Sequence, residues 1–324
     1  MHNNLISVVI PTYNRGGAIE KTVVSVLKQD VVSEEIEIII VDDGSTDDTF
    51  TILQTLYGNN PRVRLFSTPN GGVARARNFG LEQARGEFIA YLDHDDLWMP
   101  QKLRLQREKM IGNSSVGVVY CNWVSVDESG FSLPDEKQLS KRKWWHAKEG
   151  WVYPWVYSPS RAVSIQNSII SMSIPLIRVE EIKDVGGFDP EMVPCDDWDL
   201  WIRLAKKTQF AYVDQILVNY VCHFEQQHMG GDAIPSTLRV MEKHYVKFTN
   251  NPALWFIQKT TFELLKFNSK QDQYLKAKKL LFKRRYLKCL VVLVKMIIKC
   301  PIALFNKRWM YIFYRVMTFQ SKVF

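Results

Sequence analysis

Three apolar runs in the first hundred residues each end in a polar cluster, and this pattern narrows the fold more than any other feature of the chain. Leu5 to Ile10 runs into Pro11-Thr12-Tyr13-Asn14, Ile36 to Val41 into Asp42-Asp43, and Phe88 to Leu92 into Asp93-His94-Asp95-Asp96. Short continuous apolar runs of this kind are strands buried on both faces, as in parallel sheets. Between the first two, Ala18 to Gln29 carries Ile19, Val23, Val26 and Leu27 at offsets of four, seven and eight, the stripe of an amphipathic helix. The capping-box-like spacing of Ser45 and Asp48 predicts a second helix running to about Tyr57. A weaker strand at Val63 to Phe66 and a helix from about Gly72 to Ala84 continue the alternation. The expected class is α/β, with a mostly parallel sheet covered by helices on both faces. In such sheets ligands bind beyond the carboxyl ends of the strands, so the three polar clusters gather on one rim.

Further along, Pro100 to Met110 reads as a helix, Val116 to Trp123 as a strand, and Gly186 to Pro190 as a tight turn before a helix from Asp197 to Ala205. Residues 127 to 150 are polar and read as loop. The aromatic-rich stretch from Trp144 to Tyr157 suits an acceptor platform, a lid, or a loop pinned to the core by its rings. The 324 residues, 46% of them apolar, suffice for one large domain or two. Five cysteines without a CxxC spacing indicate neither a disulfide framework nor a thiolate zinc site. Met1 to Leu5 lacks the basic and apolar segments of a secretory signal, and no run of about 18 apolar residues occurs. A cytoplasmic location is expected.

The clusters permit specific chemistry. Asp93 and Asp95, one residue apart beyond a buried strand, can hold a hard divalent cation, Mg or Mn, through oxygens while water and ligand phosphates fill the other positions. Asp42 and Asp43 can accept hydrogen bonds from a base or ribose, although Asp, Gly and Ser also favour turns and caps for local reasons. No GxGxxG follows the first strand and no GxxxxGK(S/T) occurs, which argues against dehydrogenase and P-loop readings. Asn70-Gly71-Gly72 opens a helix bearing Arg75 and Arg77, where backbone donors, helix dipole and guanidinium can all face an anion. Residues two apart do not share a helix face, so Arg77 is expected to face the ligand and Arg75 the solvent.

Taken in order, Val9-Ile10-Pro11-Thr12-Tyr13-Asn14-Arg15, Val41-Asp42-Asp43-Gly44-Ser45-Thr46-Asp47, Ala76-Arg77-Asn78, Leu92-Asp93-His94-Asp95-Asp96, Gly186-Gly187-Phe188-Asp189 and Asp196-Asp197-Trp198-Asp199 resemble the family 2 glycosyltransferases of the GT-A fold. The resemblance covers roughly residues 5 to 225. It implies inverting transfer of a sugar, of hexosyl type, from a nucleoside diphosphate donor, UDP favoured, to a hydroxyl acceptor on a glycan or lipid carrier. By motif position Pro11, Thr12 and Asn14 would line the nucleoside pocket with Asp42 and Asp43. Arg77 would meet base or phosphates, and Asp93 the ribose or a metal-bound water. Asp95 would hold the metal, with Asp93 and His223 as further candidate ligands and His228 a weaker one. Gly187 and Trp198 would border the sugar. The later acidic motif, usually Glu-Asp, reads Asp196-Asp197 here; Asp197 is the expected general base, with Asp196 the alternative. The competing reading is a non-catalytic nucleotide-sugar or glycan-binding protein of the same fold. Nucleotidyl transfer would require a glycine-rich loop with basic residues after the first strand, for which Asn14-Arg15-Gly16-Gly17 is a poor substitute.

The expected organisation is a transferase domain over 1–230, with a nucleotide half at 1–125 and an acceptor half at 126–230, then a helical basic region at 231–324. Residues 252 to 324 hold 16 Lys and Arg against 2 Asp and Glu, leaving 26 against 32 in the preceding body. Arg284, Lys288, Lys295 and Lys299 fall along one helical face among aliphatic neighbours. A helix of this composition is suited to the surface of an anionic membrane, and its aliphatic content favours lipid over nucleic acid. The alternative is a helical packing domain with a solvated basic face. A peripheral position on the inner face of the cell membrane is therefore expected.

Overall fold

The structure is a computed structural model that describes residues 4–31, 35–127, 129–131, 171–205 and 207–222, together with 239–240 and 243–244. The expectations for residues 144–157, for His223 and His228, and for the basic helix at 284–299 lie outside the described residues. The chain divides into two compact units, Met1–Val156 with Gln166–Gly230, and Tyr157–Ile165 with Gly231–Phe324. Every element below belongs to the first.

The element order is β1 (Ile6–Thr12), α1 (Ile19–Leu27), β2 (Ile36–Asp42), α2 (Thr49–Tyr57), β3 (Val63–Ser67), α3 (Val73–Gln83), β4 (Phe88–Tyr91), β5 (Leu97–Trp98), α4 (Lys102–Ile111), β6 (Val116–Val126), β7 (Leu176–Arg178), α5 (Val179–Asp184), α6 (Asp196–Leu204) and β8 (Gln209–Val221). The strands form one sheet in the order β3-β2-β1-β4-β7-β6-β8-β5. All seven residues of β1 and of β2 are buried, as their mainly apolar runs require. Strands β1, β2, β3 and β4 pair in parallel, with Thr12 opposite Asp42 and Asp42 opposite Ser67, so the carboxyl ends of β1, β2 and β3 finish level, while β4 ends at Tyr91 opposite Val9. The chain winds from β1 outward to β3 and then returns to place β4 on the other side of β1. The carboxyl ends of β1 and β4 therefore flank the switch point where such sheets bind ligands.

Beyond β4 the sheet is mixed. Strand β7 pairs antiparallel to both β4 and β6, and β5 antiparallel to β8, while β6 and β8 are parallel. With three and two residues, β7 and β5 are too short to leave a periodic signal. Strand β8 runs from Gln209 to Val221 with a register shift that pairs Cys121 with Val213 but Asn122 with Ile216. The residues passed over, Asp214 and Gln215, are exposed and polar, and they hide the strand in the sequence.

Helix α2 begins at Thr49, later than the Ser45–Asp48 pair predicts. The Ser45 hydroxyl donates to Asp42 and accepts from the Asn14 amide, so it ties two loops together instead of capping a helix. Asp47 takes over at the helix entrance by accepting from the Thr49 amide at 3.0 Å. Helix α3 lies directly on β1: a Cβ on Gly80 would come within 2.3 Å of Val9 Cγ1, so only glycine permits this approach. That seat fixes Arg77, one turn earlier on the same helix.

Helix α4 buries polar side chains as well as apolar ones. Gln106 donates to the carbonyls of Val119 and Ile174 at 3.0 and 2.9 Å, stitching the helix to the sheet. Lys102 is wholly buried, with Nζ donating to Gln106 Oε1 at 2.9 Å and lying 4.0 Å from the Trp98 ring centre. Burial pushes its pKa down to about 7. Among the described residues no helix is long and apolar enough to cross a membrane.

Candidate active site

A cavity of about 450 Å³ opens at the carboxyl ends of β1, β2 and β4. Pro11 and Thr12 enter it from the end of β1, Tyr13 and Arg15 from the loop after it, and Asp43 from the loop after β2. The first turns of α3 contribute Gly72, Val73, Ala76 and Arg77, and the loop after β4 contributes Asp93, His94 and Asp95. Ser171 and Met172 close one side with Tyr220 of β8, and Pro194, Asp196 and Asp197 arrive with the start of α6.

Arg77 is the hub of this arrangement. It is 6% exposed, while Arg75 faces solvent. Its Nη2 donates to Asp93 Oδ1 at 2.7 Å and its Nη1 to Asp196 Oδ2 at 2.8 Å, and the guanidinium lies 5.5 Å from the Phe188 ring centre. Burial alone would lower its pKa, but Asp93 and Asp196 outweigh burial and hold it above the usual arginine value, so it stays charged. Its Nε is buried and has no hydrogen-bond partner among the described residues. One side chain thus joins the loop after β4 to the start of α6.

The loop after β4 is braced from several directions. Arg15 Nε donates to His94 Nε2 at 3.1 Å, and burial lowers the His94 pKa against the opposing pull of Asp95 and Asp93. Ser173 Oγ accepts from the Asp93 amide at 3.1 Å. Asp96, 1% exposed, turns away from the cavity, and its pKa is raised by burial, reinforced by Asp95 and Asp93.

The structure brings together Pro11, Thr12, Asp43, Arg77, Asp93, Asp95, Asp196 and Asp197 from the sequence-based set. Asp42, Asn14, Gly187 and Trp198 are not in the cavity wall. Asp42 is 2% exposed and is occupied in accepting from Ser45 and from Ser67, whereas Asp43 lines the cavity and accepts from the Gly71 and Gly72 amides at 2.8 Å each. Asn14, at φ 51°, accepts from the Thr46 amide at 2.8 Å and so links the loops after β1 and β2. Gly187, at φ +68°, lies against Asn78, where a Cβ would come within 2.6 Å of Oδ1. Asn78 in turn pairs with both backbone groups of Phe188 at 2.8 Å. Trp198 is buried within α6. Sequence reasoning did not single out Arg15, Ser171, Ser173, Asp96 or Tyr220. Asp96 belonged to a conspicuous cluster, but Ser171-Met172-Ser173 carries no local signal and reaches the site only through the antiparallel strand β7.

Asp95 with neighbouring Asp93 presents carboxylate oxygens, the hard donors that Mg or Mn takes. Among the described residues no three His, Cys, Asp or Glu side chains converge on one point. With Asp93 Oδ1 held by Arg77, these two carboxylates would supply only part of the shell of such an ion, leaving ligand phosphates and water to complete it, the usual condition of Mg.

The Glycosyl transferase family 2 profile matches residues 7–174. A chondroitin synthase of Pasteurella multocida (strain Pm70) is 30% identical over 219 residues, 68% of this chain and 21% of that protein. The chain thus spans about a fifth of that relative's length. A Bacillus subtilis (strain 168) protein named for teichuronic acid biosynthesis, the glycosyltransferase TuaG, is 34% identical over 218 residues, 67% of this chain and 78% of TuaG. Among solved structures, residues 1–349 of S. aureus TarS in complex with UDP-GlcNAc superpose with a TM-score of 0.63 at 18% identity, covering 97% of this chain and 88% of that one. That likeness shows the GT-A fold. With the matched profile spanning the strands and loops that build most of the cavity, the chain belongs to glycosyl transferase family 2.

Proposed function

We propose that this chain transfers a sugar from a nucleoside diphosphate sugar, with a UDP-sugar as the favoured donor, to a hydroxyl of a glycan or lipid-linked acceptor in polysaccharide assembly, inverting the anomeric carbon. The observation that carries this reading is the convergence of Asp43, Arg77, Asp93, Asp95 and Asp197 on one cavity at the switch point of the sheet. The names of the chondroitin synthase and of TuaG support a polysaccharide product, and the UDP-GlcNAc held by TarS supports the donor class.

The contacts support a set of roles. Pro11, Thr12 and Asp43 border the nucleoside end; of the two aspartates that the resemblance gave to this pocket, Asp43 is the one that lines the cavity, and it keeps the Gly71-Gly72 turn against β2. Asp95, with Asp93 beside it and His223 a candidate third ligand, would hold Mg or Mn, which when bound supplies positive charge against the departing diphosphate. Asp196 is committed to Arg77, so Asp197 is the carboxylate that accepts the proton of the attacking hydroxyl. Arg77 keeps Asp93 and Asp196 in fixed places and adds a permanent positive charge beside the site.

A thermal-shift panel of nucleoside diphosphate sugars with Mn tests the donor assignment. A UDP-sugar is expected to raise the melting temperature more than its GDP or CDP counterpart. A panel in which no nucleotide sugar shifts the transition contradicts it.

A further inference from the structure

We propose that Asp96 is a positioning residue for the donor cavity: buried behind the wall, its carboxylate ties the end of β8 and the 171–173 segment to the loop that presents Asp93 and Asp95. This rests on the reading of the cavity as a nucleotide-sugar site. Asp96 Oδ1 accepts from the Val221 amide at 3.0 Å and Oδ2 from Ser171 Oγ at 3.3 Å. Its own amide donates to the Asp93 carbonyl at 3.1 Å, closing the turn in which Asp95 sits. Its carbonyl accepts from Thr22 Oγ1 at 3.1 Å, and the same hydroxyl lies 3.0 Å from the His94 carbonyl. Ser171 Oγ also approaches Asp93 Oδ2 at 3.4 Å and accepts from the Ser173 amide at 3.0 Å, while Ser173 Oγ receives the Asp93 amide.

Four chain segments, from α1, the loop after β4, the approach to β7 and the end of β8, therefore meet at this one residue, and its carboxylate, which does not itself face the cavity, joins the last two. Burying such a group is costly unless its hydrogen bonds are complete, and here both oxygens are used to fix backbone and hydroxyl groups next to cavity residues. The residue preceding Val221 is Tyr220, which lines the cavity, so the tie at Val221 also sets that wall. Hydrogen bonds one step removed from ligand-binding groups orient them, and their loss weakens binding without removing a direct contact.

The test is the affinity of the full chain for UDP, measured calorimetrically with and without Mn(II), in wild type, Asp96→Ala, Asp96→Asn and Ser173→Ala, with thermal denaturation recorded alongside. Asp96→Ala is expected to weaken UDP binding in Mn(II) by about 10-fold or more and to shrink the ratio of affinities with and without Mn(II). Asp96→Asn, which keeps an acceptor for the Val221 amide, should recover most of both. Ser173→Ala should fall between, because it releases the Asp93 amide. A folded Asp96→Ala chain with wild-type UDP affinity and wild-type Mn(II) response overturns the proposal, as does equal impairment of the Ala and Asn variants. If Asp96→Ala does not fold, Asp96→Asn and Ser173→Ala decide on the same criteria. A wild type indifferent to Mn(II) refutes the metal role of Asp95 and leaves Asp96 judged on UDP affinity alone. A wild type that binds no UDP refutes the donor-site reading and this inference with it.

Discussion

At the scale of single residues, the structure separates neighbours that the sequence leaves equivalent. Asp42 and Asp43, Asp95 and Asp96, and Asp196 and Asp197 are adjacent carboxylates; in the first two pairs one lines the cavity while its neighbour serves another contact, and in the third both line it but Asp196 is locked to Arg77. Successive side chains alternate across a strand and turn by about 100° along a helix, so a shift of one residue in where an element ends reverses the assignment. Two consequences can be measured. Asp197→Asn should retain UDP affinity and lose transfer by about 10² to 10⁴-fold, the scale of general-base removal, while Asp196→Asn should lose less because its amide oxygen can still accept from Arg77. Steady-state kinetics with the donor identified by the thermal-shift panel decides between them. Arg77→Met strands two carboxylates, one of them buried, and should destabilise the fold by about 3–5 kcal/mol, read from urea denaturation.

Among the elements, the parallel half of the sheet was legible because β1, β2 and β4 are buried on both faces and, Glu37 apart, carry no charges until they end. What was hidden had a physical cause in each case: a two-residue β5, a three-residue β7 and a bulged β8. Helix α4 concealed its inward face by burying Lys102 and Gln106. Lys102 yields a pH prediction. Its pKa in the folded state is lowered to about 7 from the ordinary 10.5, so between those values the unfolded chain holds a proton that the folded chain does not. Stability from this site therefore rises with pH across that window. Lys102→Met should stabilise the protein most below about pH 7, by a few kcal/mol, with the gain shrinking as pH approaches about 10. Denaturation of both proteins at several pH values reads the difference directly, and a pH-independent gain contradicts the burial of an ionisable amine. The contact of Gly80 with Val9 gives a second check: Gly80→Val should cost about 1–3 kcal/mol through overpacking between α3 and β1.

Across the whole molecule, charge is divided between an acidic body and a strongly basic region from residue 252 onward. We infer from that composition that the basic region attaches the enzyme to anionic lipid, which would bring the cavity to lipid-linked acceptors. Flotation with anionic vesicles at low salt should carry the full chain upward, and neutral vesicles or high salt should not; equal flotation with both contradicts an electrostatic attachment. The central claim concerns the cavity, where carboxylates from separate strands and from α6 act on one nucleotide sugar. Its most direct test is calorimetric titration of UDP in Mn(II) into wild type, Asp95→Ala and Asp197→Asn. The account predicts that Asp95→Ala loses the Mn(II)-dependent part of the affinity while Asp197→Asn binds as wild type. Undiminished Mn(II)-dependent binding by a folded Asp95→Ala chain would contradict it.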